Sequence, residues 1–128
     1  MAKALAQGLG GRVKEALERA IALQPRHADA HIALGAFHAE VIDKVGTLIG
    51  GMTYGAKRST GLRMFEQGLR LNPDWPISLI EYANGLVMLE GDQKLKEATR
   101  LYARAAAMEP LDAMQWLNVE LARSDLAG

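Results

Sequence analysis

Ala16-Leu17-Glu18-Arg19-Ala20-Ile21-Ala22-Leu23-Gln24-Pro25, Met64-Phe65-Glu66-Gln67-Gly68-Leu69-Arg70-Leu71-Asn72-Pro73 and Leu101-Tyr102-Ala103-Arg104-Ala105-Ala106-Ala107-Met108-Glu109-Pro110 are one segment written three times. In each copy a bulky apolar residue is followed three positions on by a small one and five further on by proline. The apolar spacing is that of a helix, and proline, with its fixed φ and missing N–H, stops it. After each proline comes a second apolar-periodic stretch, so the unit is a pair of helices. Self-similar helix pairs are the sequence mark of an α-solenoid.

Composition agrees. A chain of 128 residues with 49% apolar content can build one core, and with 5% aromatics that core rests on Leu, Ile, Met and Ala. Fifteen basic and fifteen acidic residues cancel, so no net field draws nucleic acid or an anionic membrane. The absence of cysteine excludes disulfides, thiolate metal sites and a cysteine nucleophile. Met1 to Leu9 has no apolar core of a secretory signal, and no segment is long enough to span a bilayer, which gives a cytoplasmic expectation, or a periplasmic one for a fragment of a longer protein.

The apolar period predicts six helices in an all-α fold, with no β-sheet. They run from about Gly11 to Leu23, from His27 to just before Gly46, from Ser59 to Leu71, from an Asp74 N-cap to Leu89, from Lys94 to Met108, and from Asp112 to about residue 124. Residues 1–10 are too short and glycine-broken to pair with the first helix, and 125–128 fray. The apolar stripe of that helix, Val13, Leu17, Ala20 and Ile21, therefore needs a cover: residues 1–9 folded back, or another copy. Residues 45–57 form an insert with glycines at 46, 50, 51 and 55. So many glycines argue against a continuous helix. Its Val45, Leu48, Ile49, Met52 and Tyr54 are expected to pack inward, because a disordered loop would be polar.

These residues resemble tetratricopeptide repeats. Leu34-Gly35 stands where the family has Leu-Gly, with His31 and His38 at its Trp and Tyr places, and Leu79, Tyr82-Ala83 and Leu86 fill the corresponding places in the next unit. On the second helices the matches are Val13, Leu17, Ala20 and Pro25, then Gly61, Phe65, Gly68 and Pro73, then Ala98, Tyr102, Ala105 and Pro110. Spacings of 48 residues from Pro25 to Pro73 and 37 from Pro73 to Pro110 exceed the family period, the larger excess being the insert. The insertion also gives a remote similarity to the helical T component of TRAP transporters.

The resemblance implies a concave groove lined by the first helix of each pair. Its positions fall on Ile32, Ala36 and Glu40, on Ile77, Ile80, Asn84, Val87 and Met88, and on Met114, Leu117 and Leu121. That is an apolar groove with a single amide, lacking the several Lys, Arg and Asn that clamp acidic chaperone tails. It is either a surface for a hydrophobic helix or ligand, or an area covered by the insert or a second chain. Under the covered reading Tyr54 lies near Asn84.

No catalytic, cofactor or metal site emerges from the pattern. His27 and His31 lie four apart on one helical face, but two ligands without a third make a poor zinc site. His31 and His38 are about 10 Å apart along the helix and cannot share an ion. An acid/base cluster of His38, Glu40 and Asp43 lacks a nucleophile, and the glycine groups lack the lysine of a phosphate loop. The expectation is a non-catalytic scaffold that binds a protein or peptide. The alternatives are a small hydrophobic-ligand binder closed by the insert, and a domain that self-associates through its first helix.

Overall fold

The computed structural model describes residues 9–108. Five α-helices follow one another: α1 (Leu9–Leu23), α2 (Ala28–Tyr54), α3 (Arg58–Leu71), α4 (Pro76–Glu90) and α5 (Leu95–Ala106), with a 3₁₀ turn at Asp92–Lys94 before α5. No strand occurs among the described residues. The all-helical expectation holds there, and the sixth helix lies outside them. Pro76 occupies the first turn of α4 as expected, but the N-cap is Trp75 rather than Asp74, without a side-chain capping bond.

Each helix packs on the next, and α2 also packs on α4. The main core forms where α2, α3 and α4 meet. Phe65 of α3 is wholly buried there with Ile32, Ala39, Val41, Ile42, Ala56 and Leu89. Its ring fits because glycines face it from both sides. A methyl at Gly35 of α2 would lie 3.0 Å from the ring, and one at Gly85 of α4 would overlap it. The same device recurs along α3. A methyl at Gly61 would lie 3.1 Å from both His38 Cβ and Leu89 Cδ1, and one at Gly68 would lie 2.6 Å from Ile32 Cδ1. Gly61, Phe65 and Gly68 share one face of α3, so the helices approach closely around a single large side chain. Tyr82 tilts against Phe65 at 5.6 Å. A second cluster, Leu79, Ile80 and Ala105, with Leu69, Leu101 and Tyr102 against it, holds α5 to α4.

Regular helix from Ala28 ends just before Gly46, as expected. The chain bends sharply at Gly46 (φ 85°, ψ 168°) and resumes as a short helical limb to Tyr54. Only glycine adopts that φ freely. A methyl at Gly50 would lie 3.5 Å from Val41 Cγ1 and 3.6 Å from Ile42 Cγ1. Residues nine apart on a straight helix are separated by about 13 Å, so the limb is folded back on the helix that precedes it. Gly55, at φ 67°, ends the limb, and the N–H groups of Gly55 and Ala56 both donate to the Gly50 carbonyl.

The seating of Phe65 predicts opposite outcomes for two glycine-to-alanine changes. Gly85→Ala gains about 1 kcal/mol of helix propensity but overpacks the ring, at a cost of about 1–3 kcal/mol. Gly11→Ala, with nothing within 4 Å of the added methyl, stabilises by about 0.5–1 kcal/mol. Urea denaturation checks both; a Gly85→Ala protein more stable than the parent would mean that the ring is not held as described.

Candidate functional site

The seam between α2 and α4 carries the groove positions, and their surroundings differ. Ile32 and Ile80 are buried, Ile32 against the Gly68 face of α3 and Ile80 in the second cluster. Ala36 and Met88 are half-buried against the main core. Glu40, Ile77 and Val87 are also half-buried. Asn84 is exposed, and its side-chain oxygen accepts a 2.6 Å hydrogen bond from the Tyr102 hydroxyl of α5. The amide expected beside Tyr54 is thus engaged by α5. Met114, Leu117 and Leu121 lie outside the described residues.

A residue that the sequence reading missed joins this seam. Glu81 of α4 is half-buried, and burial first, then the Glu40 carboxylate of α2, holds its pKa above the usual carboxylate range. Two carboxyl groups on different helices therefore sense each other across the α2–α4 junction. Next to Glu81, burial followed by Glu66 and Glu97 pushes the Tyr82 hydroxyl up to about 12. The described residues contain no group of three or more His, Asp or Glu side chains placed to hold a metal ion.

The insert is ordered, but its side chains point the other way from expectation. Val45 and Tyr54 pack against the main core, whereas Leu48, Ile49 and Met52 are 72%, 53% and 79% exposed. Gly50 and Gly51 take the inner face instead. Gly50 is buried there against α2, and the large side chains on the other side of the limb are left outside. The limb touches Val41, Ile42 and Ala56, and Gly55 faces Lys14 of α1.

The histidines serve the backbone. His27 is the N-cap of α2, its Nδ1 accepting from the Ala30 N–H at 3.2 Å, and His31 Nδ1 donates to the His27 carbonyl at 2.9 Å. His38 is 1% exposed, and its Nδ1 accepts from the Lys57 N–H at 2.9 Å. Lys57 is the N-cap residue of α3 and lacks a side-chain cap, so His38 satisfies one backbone donor at that helix start. This bond requires neutral imidazole with the proton on Nε2, an atom that is buried without a partner among the described residues. Phe37 meets the His38 ring edge-on at 5.7 Å. The acid/base grouping with Glu40 and Asp43 is not assembled around a free imidazole nitrogen lone pair, since that lone pair is the one facing Lys57.

A surface hollow of about 410 Å³ borders Arg12, Glu15, Ala16 and Arg19 on the polar side of α1. Among the described residues, no helix is long and apolar enough to cross a membrane. Compared with known proteins, the chain matches no family model, no curated protein and no solved structure.

His38 makes stability pH-dependent in a defined window. Burial, then the Lys14 cation, lower its pKa from 6.5 to about 4, with Arg63 acting in the same direction and Glu18 against it. Because the folded state binds the proton less tightly than the unfolded chain, the contribution is full above pH 6.5 and declines as pH falls toward 4. Between pH 7 and 5 the loss is about 2 kcal/mol. In a His38→Asn protein, whose carboxamide oxygen can still accept from Lys57 N–H without titrating, urea midpoints at pH 7 and 5 should converge; an unchanged gap would assign the acid sensitivity elsewhere.

Proposed function

We propose that the chain is a short tetratricopeptide-like solenoid and a non-catalytic scaffold that binds a protein or peptide along the α2–α4 seam. The supporting observation is the pattern of helix contacts. The inner helices α2 and α4 pack on each other, while α1, α3 and α5 make at most marginal contacts among themselves. Helices close together on one side and spread on the other form a curved stack, with α2 and α4 toward the concave face. Half-buried Ala36, Ile77, Val87 and Met88 beside Glu40 and Glu81 suit a ligand offering apolar side chains and a Lys or Arg. Peptides selected from a display library on the intact protein test this. Glu40→Lys with Glu81→Lys should weaken them by about tenfold or more, and Arg100→Glu on α5 should leave them unchanged. Selected binders that respond only to the α5 change, or a failure to select any, would overturn the reading.

A second reading, self-association through α1, is favoured by the state of that helix. Among the described elements α1 packs substantially on α2 alone. Val13 is 44% exposed, and Leu17, Ala20 and Ile21 are only half-buried. Light scattering across concentration, with Leu17→Asp as the comparison, should show an oligomer that the substitution dissociates. A monomer throughout removes this reading and leaves the seam proposal intact.

A further inference from the structure

The limb Thr47 to Tyr54 presents an apolar surface of unusual form. On a helix, Leu48, Ile49 and Met52 fall within an arc of about 100°, while Gly50, Gly51 and Tyr54 occupy the opposite side. Thr53 borders the exposed side. An eight-residue helix resting on glycine stands proud of the helix beneath it, so this patch is a projection rather than a groove.

Charge is distributed around it in a way that the chain-wide balance conceals. From Lys44 to Phe65 the sequence contains four cations, Lys44, Lys57, Arg58 and Arg63, and no acidic residue. The chain as a whole has fifteen basic and fifteen acidic residues, so everything outside this segment carries a net charge of −4. Lys44 stands just before the limb and Lys57-Arg58 just after it, all three exposed, and no ion pair among the described residues involves them. The nearby Lys14 is already paired with Glu18 at 3.2 Å, and one acid adjoins the segment at each end, Asp43 and Glu66.

We infer that this limb docks the protein on the surface of an anionic lipid bilayer. Leu48, Ile49 and Met52 enter the interfacial layer, and Lys44, Lys57 and Arg58 lie against the lipid headgroups. A convex tip of three aliphatic side chains supplies no pocket and no polar group with which to read a protein partner. A deformable bilayer interface accepts such a tip without a complementary shape, and cations around apolar side chains are the pattern of interfacial helices. The limb is about 12 Å long and cannot span the bilayer. With one apolar tip and a few cations the attachment is reversible and weakens with salt. This site is separate from the α2–α4 seam and does not depend on the function proposed for it.

Flotation of the intact protein with vesicles tests the inference. Binding to phosphatidylcholine vesicles containing about 30% phosphatidylserine at low ionic strength should exceed binding to pure phosphatidylcholine by about tenfold or more, and should fall when salt is raised to about 0.5 M. Leu48→Ser with Met52→Ser, and separately Lys57→Glu with Arg58→Glu, should each lower it by about tenfold. All four side chains are exposed, so unchanged circular dichroism is expected and serves as the folding control. The inference is overturned by no flotation at low salt, by flotation indifferent to both double variants, or by dissociation of a protein dimer by the same variants without any vesicle binding. Capture of an acidic amphipathic peptide probe, with the same variant sensitivity and without flotation, would overturn it in favour of a protein partner.

Discussion

The main core depends on the Phe65 ring sitting where α2 and α4 each present a glycine to it. Gly35 and Gly85 leave the gap, and Phe65 fills it, so α2 and α4 are brought together through the residue that separates them from α3. Burying one Phe is worth about 1.5–3 kcal/mol. Its larger effect is geometric: the ring fixes how far α3 can sink, and the flanking Gly61 and Gly68 allow α3 to reach that depth. The α2–α4 junction, where Glu40 and Glu81 interact and the half-buried apolar positions lie, is a product of that depth.

The junction between α2 and α3 is held in a different way. Here a buried imidazole closes the start of α3 through the Lys57 N–H, across nineteen residues of sequence. Because the bond spans the whole limb, the start of α3 is positioned by α2 directly. The limb adds a second tie, since its Gly50 carbonyl accepts from the Ala56 N–H just before Lys57.

Much of this was legible in the sequence. The helices follow from apolar periodicity, and their ends near Leu23, Leu71 and Glu90 from the Pro and Gly that follow. Gly68, His31 and His38, which stand at small and aromatic places of the resemblance, are all buried. The expectation that the insert's glycines preclude a continuous helix holds at Gly46 and Gly55, but the helical limb between them was not foreseen. Gly46 does break α2, but Gly50 and Gly51 stay helical, with Gly50 buried against Val41 and Ile42. The burial gain of Leu48, Ile49 and Met52 was then assigned to the wrong face. Two glycines on one side of a short helix and three aliphatic residues on the other could have signalled the inversion. Asn84 was misplaced and Glu81 passed over for another reason: a repeat register transferred from a resemblance fixes which helix a residue is on more firmly than which neighbour it meets. Asn84 meets Tyr102, and Glu81 meets the field of Glu40.

The bend at Gly46 has an architectural consequence. A helix transmits register through its continuous ladder of backbone bonds, and this ladder is interrupted at Gly46 and closed off again at Gly55. The limb is therefore a cassette: its outer residues can vary in sequence without rotating any residue of α2 or α3 relative to the core. In a fold where most helical positions are tied to neighbouring helices, this is a place where new surface chemistry can be acquired without repacking the interior.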